Sequence, residues 1–222
     1  MYFVRYLVGK AVNCCSAAWG ALNDGLTDAG DQWSRVRLIM GQRQAERQQL
    51  DPLDWERFER DGFLELGRVC DPSLLAALQE RIDHIMLGQV VYPDLYMQVC
   101  PSSAGSWAAA SDVGHPPTLA YRKIMGLEAD EMFREYMKLP LFHELAARTC
   151  GPEVAVVRAM FFNKPKERGK VIDWHQDREG PNNLPPLRDG DGNITVWTAL
   201  DPCPRESGCL QVVRGAQKRR RF

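Results

Sequence analysis

Trp174-His175-Gln176-Asp177 is the stretch on which the reading of this chain turns. In a β-strand, side chains two residues apart project to the same face. His175 and Asp177 then present an imidazole and a carboxylate side by side. These are two of the three ligands of a facial 2-His-1-carboxylate site, which leaves metal positions open for O2 and a chelating co-substrate of iron(II). The tripeptide is weak alone. With four histidines and 16 aspartates in 222 residues, composition supplies about 0.3 His-x-Asp pairs by chance. A surface histidine beside a solvated aspartate is the competing reading. Asp173 falls on the same strand face, either as an acceptor that orients His175 or as an exposed acid.

The surroundings of the tripeptide read as strands. Val154–Asn163 is apolar, β-branched and aromatic, and Lys170–Asp177, Asn193–Leu200 and Cys209–Val213 share that character. Gly- and Pro-rich stretches at 164–169, 178–192 and 201–208 separate them. Upstream the pattern is helical. Pro52 at a first turn opens a helix Pro52–Arg60, broken by Asp61-Gly62, and the short run 63–66 is strand-like. Asp71-Pro72 caps an amphipathic helix with Leu74, Leu75, Leu78, Ile82 and Ile85 on one stripe. Two more helices are predicted near Glu128–Lys138 and Pro140–Thr149. Residues 88–118, punctuated by Pro, Gly and Ser, read as a long irregular segment of the kind that forms a lid or substrate wall. Helices first and strands second predict an α+β fold whose strands form a sandwich or barrel. Residues 1–50 are expected to be a separate helical or poorly ordered extension, and 51–222 the domain.

Composition bounds the function classes. Apolar residues are 45% and charged residues 26% of the chain, ordinary values for a soluble globular protein. The net charge of −1, from 28 basic and 29 acidic residues, lacks the basic excess of a nucleic-acid surface. Seven cysteines (Cys14, Cys15, Cys70, Cys100, Cys150, Cys203 and Cys209) form no C-x-x-C pair. The odd count argues against a disulfide framework and for an intracellular, reducing compartment, cytoplasmic or organellar. The apolar N-terminus is interrupted by Arg5 and Lys10, too early for a transmembrane segment. It reads as an organellar presequence or as an amphipathic or disordered tail. Lys218 to Phe222 reads as a solvated basic tail.

The ordered set Asn163-Lys164-Pro165, His175-Gln176-Asp177, Thr195 to Asp201 and Ser207 to Gly215 resembles the phytanoyl-CoA dioxygenase family, as does Asp61-Gly62-Phe63 upstream. The resemblance covers about residues 52–218. It implies a double-stranded β-helix, a cupin-like jelly roll, with N-terminal helices. It implies Fe(II) as cofactor, 2-oxoglutarate as co-substrate, ascorbate as a candidate further cofactor, and a small molecule or acyl-CoA thioester as the hydroxylated substrate. His175 and Asp177 match the first two iron ligands. Lys123, Met160 and Trp197 match positions at the 2-oxoglutarate pocket. Read without the family, Met160 and Trp197 are ordinary core residues and Lys123 a solvated lysine. The resemblance also implies hydroxylation rather than halogenation, because related halogenases have a small residue in place of the Asp177 carboxylate.

One departure stands beside these matches. The family has a second histidine ligand downstream, and beyond it an arginine for the far carboxylate of 2-oxoglutarate. This chain has no histidine after His175; His84, His115 and His143 lie upstream. The family's Gly-Ser-His-Lys turn is here Gly215-Ala216-Gln217-Lys218, and neither Arg214 nor Arg219 to Arg221 sits at the matching position. The β-helix is therefore expected to be incomplete at the C-terminus. The alternatives are the N-terminal part of such an enzyme, with very low turnover, or a degenerate relative that binds without catalysis.

Overall fold

The computed structural model describes residues 4–13, 49–99, 107–164, 172–175 and 193–218, and for 4–13 the backbone. The helices begin where the sequence places caps. Helix α1 (Pro52–Asp61) starts with a capping box in which the Asp51 carboxylate accepts from the Asp54 N–H at 2.8 Å. It ends at Gly62, whose φ of 82° suits a residue without a Cβ. Helix α2 (Pro72–Met86) starts where the Asp71 carboxylate accepts from the Ser73 and Leu74 N–H groups. Its stripe is buried as predicted, with Leu78, Ile82 and Ile85 sealed from solvent and Leu75 only partly covered. Helices α3 (Glu131–Met137) and α4 (Pro140–Cys150) follow.

The strands among the described residues are β1 (Val4–Asn13), β2 (Tyr96–Val99), β3 (Ala108–Ala109), β4 (Tyr121–Met125), β5 (Val154–Lys164) and β6 (Asn193–Ala199). They form one antiparallel sheet in the order β3-β2-β4-β5-β1-β6. The molecule is thus of mixed α+β class. Alternation along β5 divides its side chains between two faces. Ala159 and Phe161 are fully buried in the main core with Ile124, Leu145 and Phe142. Tyr136 of α3 reaches Thr198 of β6, hydroxyl to hydroxyl at 2.9 Å, from that same side. Met160, Phe162 and Lys164 occupy the opposite face.

Several sequence expectations are corrected. Residues 4–13, expected within a helical or poorly ordered extension, form a strand between β5 and β6; the rest of 1–48 lies outside the described residues. Backbone pairing with segments 141 to 193 positions away decides this, and local propensity does not report it. Residues 63–66, 172–175 and 209–213, expected to be strand-like, are irregular, and the rest of 170–177 lies outside the described residues. The 88–118 segment, expected to be irregular, contributes β2 and β3, and β4 was not foreseen. Only one sheet stands among the described residues.

Candidate co-substrate pocket

The candidate pocket is a cluster of side chains on the sheet face opposite the helices. Register places Lys123 of β4 directly across from Phe162 of β5. The Lys123 Nζ lies 4.7 Å from the Phe162 ring centroid, a cation over an aromatic face. On the other side of Phe162, the Trp197 ring of β6 stacks at 5.7 Å between centroids and 23° between planes. Met160 and Cys203 close the same small cluster, which is separate from the main core. Lys123, Met160 and Trp197, far apart in sequence, therefore meet around one phenylalanine.

Among the described residues, the charges that act on Lys123 are cations. Burial lowers the Lys123 pKa, and the neighbouring cations Arg122 and Arg158 lower it further. Lys123 forms no ion pair among the described residues. A half-buried ammonium held down in this way gains most from an arriving carboxylate. Next to Phe162, Asn163 is buried; its amide donates to the Thr118 carbonyl at 3.0 Å, and its Oδ1 has no hydrogen-bond partner among the described residues.

The His-x-Asp segment is only partly in view. His175 is exposed, and its Nδ1 donates to the main-chain carbonyl of Asp173 at 2.7 Å. A carbonyl oxygen can only accept, so Nδ1 carries a proton and Nε2 is the ring nitrogen left to ligate a metal. The orienting contact comes from the backbone of Asp173, whose side chain is exposed. Asp177 lies outside the described residues. Among the described residues, no group of three His, Cys, Asp or Glu side chains could hold a metal ion. His84 lies 3.9 Å from Glu80, and His115 packs against Gly88 with an unusual φ of 41°.

Sequence reasoning missed Phe162, the ring on which the cluster is centred, and Cys203. Phe162 carried a signal, since it is two residues from Met160 and shares its strand face. Cys203 carried none, because its contact depends on the path of an irregular segment.

The sequence profile of the family described as "Phytanoyl-CoA dioxygenase (PhyH)" matches residues 58–222. The peroxisomal phytanoyl-CoA dioxygenase of Mus musculus is 24% identical over 161 residues, 72% of this chain and 46% of that protein. Its Homo sapiens counterpart is 28% identical over 96 residues, 43% of this chain and 28% of that protein. A probable phytanoyl-CoA dioxygenase of Caenorhabditis elegans is 29% identical over 165 residues, 72% of this chain and 51% of that protein. Alignment thus spans about half the length of these relatives or less. No solved structure matches the chain.

Proposed function

Because the chain belongs to the phytanoyl-CoA dioxygenase family, we propose that it takes part in iron(II)- and 2-oxoglutarate-dependent hydroxylation of a small molecule or an acyl-CoA, on a double-stranded β-helix. The observation that carries this reading is the meeting of Lys123, Met160 and Trp197 around Phe162. Lys123 is the charge that receives a co-substrate carboxylate, and the Phe162 and Trp197 rings give that pairing a water-poor wall. His175 and Asp177 are the iron ligands supplied by this chain. The His175 ring fits that role, because its Nδ1–H is already held by a carbonyl and its Nε2 is the nitrogen left to ligate a metal. When bound, the metal supplies activation of O2 at the expense of the oxo acid. The 88–118 segment, with β2 and β3 inside it, is the proposed substrate wall.

A second reading, binding without turnover, is favoured by one observation: Gln217 stands where the family's Gly-Ser-His-Lys turn has its histidine. The two readings share a binding step and differ in succinate release. The relatives' peroxisomal names make an organelle the first compartment to examine. No described helix is long and apolar enough to cross a membrane.

The test is 2-oxoglutarate titration by calorimetry. Lys123→Met is expected to weaken binding about tenfold to a hundredfold, the loss of one charge-assisted contact. Affinity is also expected to fall as pH rises, and earlier than the ordinary lysine value of 10.5 would give, because the folded pKa is lowered. Equal affinity of Lys123→Met and wild type would remove the pocket assignment. Succinate release by wild type, lost in Asp177→Ala, would decide against binding alone.

A further inference from the structure

Two motifs remain outside the pocket, Asp61-Gly62 and Gly215-Ala216-Gln217-Lys218, and they meet. The Gly215 N–H donates to the main-chain carbonyl of Asp61 at 2.7 Å. The Gln217 side-chain amide donates to the Glu59 carbonyl at 3.0 Å, across 158 residues of sequence. That carbonyl is among those a helix leaves open at its C-terminal end. The Asp61 carboxylate accepts two hydrogen bonds from Arg60, at 2.8 and 2.7 Å, and lies 3.6 Å from Arg214. A Cβ at position 62 would come within 2.2 Å of the Gln217 amide oxygen. Glycine there both closes α1 and leaves room for Gln217.

The clasp is one end of a longer strap. At the other end, the Gln79 amide of α2 donates to the Leu200 carbonyl and, at 3.2 Å, to the Asp201 carboxylate. In the middle, the Lys164 ammonium donates to the Gly208 carbonyl at 2.9 Å, from the pocket face of β5. Between these pins, Cys203 packs on the cluster of Phe162, Met160 and Trp197. The span 200–218 has short 3-10 turns and no strand ladder among the described residues, and side-chain and capping bonds tie it to α1, α2 and β5. Segments held in this way open at low cost compared with the ladder beneath them.

We propose that residues 200–218 form a strap walling the pocket, and that Asp61 and Gly62 are positioning residues that hold it closed over Phe162 and Trp197. The ligand of the walled pocket rests on the function proposed above; the strap itself rests on its three pins. Neither residue touches the pocket. Each acts through the turn at Arg214 to Gln217.

The experiment is maleimide labelling of the full chain, resolved cysteine by cysteine in mass spectra, with and without 2-oxoglutarate. Cys70 and Cys150, both buried, report general unfolding in the same sample. In Asp61→Asn and in Gly62→Ala, Cys203 is expected to react about tenfold faster, with Cys70 and Cys150 unchanged. Asp61→Glu is expected to restore part of the protection, and 2-oxoglutarate to slow Cys203 in wild type. An unchanged Cys203 rate in both variants, or a rise shared equally by Cys70 and Cys150, would overturn the strap. If the variants speed Cys203 but 2-oxoglutarate never slows it, the strap stands and the ligand assignment falls.

Discussion

Phe162 joins a cation on one side to an indole on the other, and its removal should be visible in both. Aromatic pairs of this geometry contribute about 0.5–1.5 kcal/mol beyond the area they bury. Phe162→Leu keeps an apolar side chain on the strand but loses the stack. The near-UV circular dichroism of Trp197 is expected to collapse while the far-UV spectrum holds; an unchanged near-UV band would show that the stack is not the source of Trp197's order. Asp61 gives a second prediction at this scale. Its hydrogen bonds to Arg60, and more weakly the Arg214 charge, hold its pKa below the ordinary 3.8, against the opposing effect of burial. A group depressed in the folded state contributes stability above its unfolded value and loses it as pH falls through the folded one. Amide exchange at Gly215 is therefore expected to be independent of carboxylate titration near neutrality and to loosen only in acid, below about pH 4.

Among the elements, β1 is the one whose loss would be felt furthest. It pairs with β5 from Val4↔Lys164 to Asn13↔Val154 and with β6 from Tyr6↔Ala199 to Val12↔Asn193. β5 and β6 do not pair with each other, so the two walls of the pocket are registered through this strand. Proline in a central strand removes a ladder donor and is poorly tolerated there. Val8→Pro is expected to strip hydrogen-exchange protection from β6 while the amides of α2 remain protected. Protection of β6 at the wild-type level would place β1 elsewhere.

The whole molecule is tied by one buried polar knot. Arg81 of α2 donates to the Asp130 carboxylate at 2.6 Å and to the Tyr92 hydroxyl at 2.8 Å. Tyr92 donates to the same carboxylate oxygen at 2.9 Å. The other Asp130 oxygen caps α3 by accepting from the Met132 and Phe133 N–H groups. The knot therefore fixes α2, α3 and the start of the 88–118 segment to one another. Burial, and then the Asp130 carboxylate, push the Tyr92 phenol up to about 12, so it remains a donor well past neutrality. Asp130→Asn removes the carboxylate charge that lies 2.6 Å from the buried Arg81. A loss of about 3–5 kcal/mol in urea-unfolding free energy is expected, the usual cost of breaking such a pair from one side. A loss below about 1 kcal/mol would mean that water reaches Arg81.

The sequence by itself determined the helices, the strands β5 and β6, and the family to which the chain belongs. Caps such as Asp51 and Asp71, the stop at Gly62 and a 3.6-residue apolar stripe are local signals, written within a few positions of the elements they define. Tertiary structure decided what pairing over long separations controls. It made a strand of residues 4–13, left 172–175 and 209–213 irregular, put Phe162 beside both Lys123 and Trp197, and brought Gln217 against Gly62. A strand's partner and an irregular segment's path depend on distant backbone groups finding each other, and no short window of sequence contains both members of such a pair.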